Sequence, residues 1–239
     1  MRVVPLIAAV SFVFSLGVAA KEIHVYAGRS SAALKLQNDG LTYEEKSDYA
    51  TARKKFDEAI RLDPTMWPAY FNRATLNMKE HKFGQALEDA TTALRGKSTF
   101  NESAVLRAMI NIKLGDYAAA CRDLDTLISL GAKGDAYAQA LNGSAWLRAT
   151  CPDSRFRNGQ LALRHATLAC RITSDRNPDF LDTLAAANAE EGNFDAAIRI
   201  EQKALTLRGT PEESKELHEH MREHMASFKQ HRPWRDVSK

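Results

Sequence analysis

Residues 67–100 read WPAYFNRATLNMKEHKFGQALEDATTALRGKSTF, and the small and aromatic side chains of this stretch decide the fold. Tyr70 and Ala74, then Phe83, Ala86, Ala90 and Ala93, recur at intervals of three and four. That spacing aligns side chains on one face of a helix, so the stretch is a helix, a tight turn and a second helix. The same layout aligns without gaps at starts Ala33, Trp67 and Asn101, a period of 34 residues. In the first copy Leu36, Gly40 and Tyr43 share one face, Ser47-Asp48-Tyr49 make the turn, and Ala52, Phe56 and Ala59 line the second helix before Asp63-Pro64. The third copy has Ala104 and Ala108, then Gly115-Asp116-Tyr117, then Ala120, Leu124 and Leu127. Pro64 and the Gly131 region close their second helices, because proline lacks the amide donor and glycine accepts the left-handed turn.

Outward from this core the pattern loosens and then recovers. A fourth copy starts near Asp135, and its second helix reappears as Ala162, Ala166 and Ala169, about eight residues late, so Cys151 to Gly159 form an enlarged loop. A fifth, Pro178 to Gly209, carries Leu181, Leu184, Ala185, Gly192-Asn193-Phe194, Ala197 and Ala204. Thr210-Pro211-Glu212-Glu213 then has the residues of a helix start, and Leu217, Met221, Met225 and Phe228 form one apolar stripe on the helix that follows. Such a helix covers the apolar face of a last repeat, and residues 231–239 are left as an irregular tail in which Trp234 either packs back or serves as an anchor.

The small, aromatic and proline positions at this period resemble the tetratricopeptide-repeat (TPR) family over roughly residues 33–232. Ala145-Trp146-Leu147-Arg148-Ala149-Thr150-Cys151-Pro152-Asp153 and Leu181-Asp182-Thr183-Leu184-Ala185-Ala186-Ala187 resemble a variant widespread in bacterial secreted or scaffold TPR proteins. The resemblance implies an all-α, right-handed TPR α-solenoid of about five helix pairs, in units 33–66, 67–100, 101–134, 135–177 and 178–209, with a capping helix at 210–230. It further implies a concave groove lined by the first helix of each unit. In that register stand Gln37, Leu41, Glu44 and Glu45; Phe71, Asn72, Thr75, Met78 and Lys79; Val105, Met109, Ile112 and Lys113; and Gln139 and Trp146. The family's clamps for chaperone tails carry Lys and Asn in the first unit and Lys and Arg in the third. Gln37, Leu41, Glu102 and Leu106 occupy those places, so capture of a C-terminal carboxylate is not expected. The apolar centre of the groove suits an amphipathic helix or an extended apolar peptide, although each of these side chains could equally pack helix on helix.

The first twenty residues, MRVVPLIAAVSFVFSLGVAA, carry one early Arg, an uncharged run from Val3 to Ala20 and small residues at Val18 and Ala20. This is the pattern of a secretory signal peptide cleaved after Ala20, an uncleaved anchor being the rival. Residues 21–32 receive no structure from the sequence. The expected destination is the periplasm or the exterior, with no membrane span after cleavage.

Composition and motifs restrict the chemistry. Thirty-three Lys and Arg nearly balance thirty Asp and Glu in 239 residues, which disfavours nucleic acid as a partner. No Walker loop, GxSxG elbow, GxGxxG fingerprint or CxxC pair occurs, so no enzyme activity and no cofactor are expected. His220-Met221-Arg222-Glu223-His224 matches an H-x-x-E-H zinc string, but a third, downstream ligand is missing, and the reading is a solvated capping helix, with a metal site the minor alternative. Cys121, Cys151 and Cys170 are read as small buried residues or, in an exporting compartment, as a Cys121–Cys151 pair, with Cys151–Cys170 pairing only if the enlarged loop folds back over the second helix. Asn101-Glu102-Ser103 and Asn142-Gly143-Ser144 have the N-glycosylation pattern but lie on expected helices. The function expected from all this is a non-catalytic protein-interaction scaffold or adaptor holding a peptide or protein segment, for instance in cell-envelope assembly. The oligomeric state stays open.

Overall fold

A computed structural model of the chain describes residues 31–96, 100–131, 134–207 and 211–236. The expected signal peptide, residues 21–30 and the Thr210 cap lie outside them. Among the described residues there are eleven α-helices, one short 3-10 turn and no strand. In chain order the helices are α1 (Ser31–Glu45), α2 (Tyr49–Leu62), α3 (Trp67–Lys79), α4 (Phe83–Ala93), α5 (Phe100–Leu114), α6 (Tyr117–Ser129), α7 (Gly134–Thr150), α8 (Gly159–Ile172), α9 (Pro178–Glu190), α10 (Phe194–Thr206) and α11 (Pro211–Lys229).

The period is written in the backbone. Ser47, His81 and Gly115, each 34 residues after the last, hold left-handed φ of 60°, 58° and 79°, and Gly192 does the same at 78°. Each of these residues reverses the chain between the paired helices, and after Ser47, His81 and Gly192 the next amide reaches back to the helix just ended: Asp48 N to Tyr43 O at 2.9 Å, Lys82 N to Asn77 O at 2.8 Å and Asn193 N to Asn188 O at 2.9 Å. These bonds satisfy carbonyls that a helix end otherwise leaves without partners. Only Gly takes such a φ without cost, so Ser47 and His81 are positions where the turn imposes its geometry on the side chain. After Ser47 and Gly115 the following helix starts on a side-chain cap, Asp48 accepting from Thr51 N at 3.1 Å and Asp116 from Ala119 N at 2.9 Å.

The described residues divide into two compact units, one up to 111 and one from 112 onward, the division falling inside α5. In the first, α1 packs on α2 and α3 on α4, with α2 joining the pairs. Ala52, Phe56 and Leu76 form one fully buried cluster there, and Ala33, Ala59, Met66 and Ala69 another. Gly40 lets α1 approach α2 closely, since a Cβ in its place would sit 2.5 Å from the Phe56 ring.

In the second unit α6 packs on α7, α7 on α8, α8 on α9, α9 on α10 and α10 on α11. The core here is mostly alanine: Ala145, Ala149, Ala162, Ala166, Ala185 and Ala189 meet Phe228 of α11. Alanine removes bulk between helix axes while keeping the highest helix propensity. The enlarged loop is ordered: Ser154–Phe156 form the 3-10 turn, Arg157 Nη1 donates to Cys151 O at 2.9 Å, and Asn158 caps α8 by accepting from Leu161 N at 2.9 Å. Residues 231–236 fold back. His231 stacks on Phe194, Asp236 N donates to Thr150 O at 2.9 Å, and Trp234 packs on the alanine core, the first of the two roles open to it from sequence.

Candidate functional site

The expected groove positions fall in both units, and each set is described within its own unit. In the first, Gln37, Thr75, Met78 and Val105 are buried, while Phe71, Asn72 and Met109 are half-buried. Thr75 turns its hydroxyl back along α3 to the Phe71 carbonyl at 3.0 Å, spending its polarity locally. Between α1 and α3 the Glu44 carboxylate meets Lys79 Nζ at 3.0 Å, and that ammonium also lies 5.0 Å from the Tyr49 ring centre. Burial pushes the Glu44 carboxyl up and Lys79 pulls it back, the burial being the larger effect. Phe71, Asn72 and Met109 are therefore the members of this set that keep area available to a partner.

Behind that face runs a charged lattice that sequence reasoning missed. Arg73 Nε donates to Asp89 Oδ2 at 2.9 Å and Nη2 to Asp89 Oδ1 at 2.7 Å, while Nη1 reaches Asp57 Oδ1 at 2.6 Å. Asn77 adds a bond to Asp89 at 3.0 Å and receives one from Arg53 at 2.7 Å. These contacts tie α2, α3 and α4 together. The Asp89 hydrogen bond above all keeps the Arg73 guanidinium protonated against the cost of burial.

In the second unit Gln139 is buried, and Ile112 and Trp146 are half-buried. Trp146 is already engaged: its indole donates to Asp236 Oδ2 at 3.1 Å, and its ring lies 5.5 Å from that of His224. Trp234 approaches His224 from the tail, with ring centres 4.6 Å apart.

His224 corrects the reading of a wholly solvated histidine string. It lies on the buried stripe of α11 with Met221 and Phe228, three and four residues away, so the stripe itself carries the imidazole inward. Its Nδ1 meets Asp182 Oδ1 at 2.7 Å. Glu201, on α10 between buried Ala197 and Ala204, points into the same space. Burial and then the Asp182 charge push its carboxyl well above the ordinary range. Burial pulls His224 down and Asp182 pushes it up, the net shift being upward. Sequence offered one clue to this group: a Glu in the middle of an alanine stripe.

The cysteines are thiols. Burial raises all three, Cys170 to about 12, and Cys170 donates to Phe180 O at 3.3 Å. A thiol held protonated is a poor nucleophile.

No protein-family model matches the chain. Human serine/threonine-protein phosphatase 5 is 31% identical over 103 residues, 43% of this chain and 21% of that protein, and the match is confined to its TPR region. A tetratricopeptide repeat and J domain-containing co-chaperone, DNJ1 of Cryptococcus neoformans, is 31% identical over 147 residues, 59% of this chain and 28% of the relative. The chain thus spans less than a third of the length of either. Among solved structures, the APC/C hetero-tetramer Cut9–Hcn1 superposes with a TM-score of 0.67 at 18% identity over 92% of this chain and 40% of that one. Yeast Tom70 gives 0.60 at 20% identity over 92% and 46%. YrrB, described as a TPR protein with an unusual peptide-binding site, gives 0.52 at 16% identity over 77% and 90%. The 34-residue period, the paired helices with their left-handed turns and these likenesses give the chain the α-solenoid fold of tetratricopeptide-repeat proteins.

Proposed function

We propose that this protein is a non-catalytic scaffold of the periplasm or cell exterior that holds an apolar peptide or protein segment along the first-helix faces of its repeats. The TPR fold supports interaction with protein partners, because stacked helix pairs bury their core between neighbours and leave an extended surface over. The observation that carries the apolar reading is the half-buried set Phe71, Asn72 and Met109 on first helices of the first unit, where Glu44 and Lys79 are paired with each other. An aromatic and a thioether with a single amide between them form an adaptable, mainly apolar contact surface. The composition of residues 1–20 supports export. None of the described helices is long and apolar enough to cross a membrane.

Binding of fluorescent amphipathic peptides to the chain tests the reading. The Phe71→Ala/Met109→Ala variant should weaken binding roughly tenfold or more, the scale of losing interface anchors, while raised salt leaves it nearly unchanged. Equal binding by parent and variant, or binding that salt abolishes, contradicts it. Mass spectrometry of the protein from its envelope fraction tests export, with Lys21 as the expected first residue.

A further inference from the structure

Outside the proposed binding face, one buried group of side chains has no account. Asp182 of α9, Glu201 of α10 and His224 of α11 place one donor atom each within 4.8 Å of one another. Their exposures are 8%, 0% and 6%. Both carboxylate oxygens of Glu201 lack any hydrogen-bond partner. Taking a carboxylate out of water without a donor costs several kcal/mol, so Glu201 is neutralised there either by a proton or by a bound cation.

We propose that Asp182, Glu201 and His224 are the ligands of a divalent transition-metal ion of zinc's class, which fastens the capping helix α11 to the last helix pair. Two carboxylates and a neutral imidazole carry two negative charges, and one dication cancels them. Mixed nitrogen and oxygen donors suit zinc and its late first-row neighbours better than calcium or magnesium, which demand more oxygens. With metal–ligand bonds of about 2.0–2.1 Å in tetrahedral geometry, donors stand about 3.3–3.4 Å apart. The Asp182–His224 contact of 2.7 Å therefore opens by about 0.6 Å, and the wider separations, none above 4.8 Å, close by about 1.5 Å at most. Three protein ligands leave the fourth position to water. Trp146 and Trp234 flank the imidazole and restrict solvent there, and low dielectric strengthens binding of an ion once its charge is matched.

His220, the other histidine of the H-x-x-E-H string, is outside the group. The proposed site shares one residue with the sequence string, and its ligands come from three helices rather than from one.

The test uses the untagged 239-residue chain, stripped with chelator and titrated with Zn2+ and with Co2+. The expected result is one equivalent of Zn2+ per chain, a rise in Tm that Ca2+ and Mg2+ do not reproduce, and the visible absorption of tetrahedral Co2+. Glu201→Gln, close to isosteric, should lower Zn2+ affinity at least tenfold, and His220→Ala should leave it unchanged. If Glu201→Gln fails to fold, the Co2+ spectrum of the parent decides. Two results overturn the proposal. One is a folded parent that retains no metal, in which case a proton shared by Glu201 and Asp182 does the neutralising. The other is Zn2+ binding that survives Glu201→Gln and disappears in His220→Ala, which marks an adventitious surface site.

Discussion

Arg73 grips Asp89 with two parallel hydrogen bonds, at 2.9 Å and 2.7 Å, joining the first helix of the second repeat to its partner, and a third bond takes the same guanidinium to Asp57 on the helix before. Asp89 is almost fully enclosed, so removing Arg73 leaves a buried carboxylate and a buried Asn77 amide facing each other without their cation. Arg73→Ala should therefore lower stability by about 2–3 kcal/mol, below the full range for a wholly buried pair because Arg73 itself is partly solvated. Arg73→Lys should recover only part of this, since an ammonium cannot make the parallel pair. Urea denaturation of the three proteins checks the order.

Two glycines make opposite predictions. A Cβ at Gly40 would meet the Phe56 ring at 2.5 Å, and Phe56 is fully enclosed, so Gly40→Ala should cost about 2 kcal/mol through overpacking. At Gly143 the nearest atom is a Leu124 methyl at 3.3 Å, a side-chain end that yields by a small rotation. Gly143→Ala gains helix propensity, so its stability should stay within about 1 kcal/mol of the parent. Thermal melts of both variants decide.

How much of this could be seen in advance differs by element. The turns at Ser47-Asp48-Tyr49 and Gly115-Asp116-Tyr117 were legible because turn chemistry is local: a residue able to take positive φ, then a capping carboxylate. The Arg73 lattice and the Asp182–Glu201–His224 group were not, because their partners are set by packing. Asp182 and His224 are 42 residues apart, and nothing in either helix taken alone names the other. Trp146 shows the same limit from the other side. Its register assigns it to the groove, yet the tail reaches it through Asp236, which lies 90 residues further along.

That contact has a measurable consequence. Trp146 is held by Asp236 and packed beside His224, so Trp146→Ala should reduce the stability of the second unit by about 2–3 kcal/mol, as loss of a large half-buried aromatic does. Its effect on peptide binding should be smaller than that of Phe71→Ala. Denaturation and peptide titration on the same two variants separate the roles.

Cys170 provides a pH-dependent probe. Burial, with the nearby Asp175 charge assisting and Lys203 opposing, raises its thiol to about 12 from an ordinary value of 9.0. A raised folded-state value means the contribution is fully present below the unfolded thiol's range and is lost as pH climbs from about 9 toward 12. At pH 8 an alkylating reagent should label Cys170 only through unfolding, and Cys170→Ala should flatten the decline of stability above pH 9. Rapid labelling of the folded chain at pH 8 is the contrary result.

The central claim is that partners lie against the first-helix faces and not on the second helices. Photo-crosslinking with a benzophenone amino acid placed singly at Phe71, Met109 and Leu62 tests it most directly, using a peptide that binds the parent chain. Leu62 is the control, exposed at the end of the second helix of the first repeat. The account predicts crosslinks from positions 71 and 109 and none from 62, whereas crosslinking from 62 with silence at 71 and 109 would contradict it.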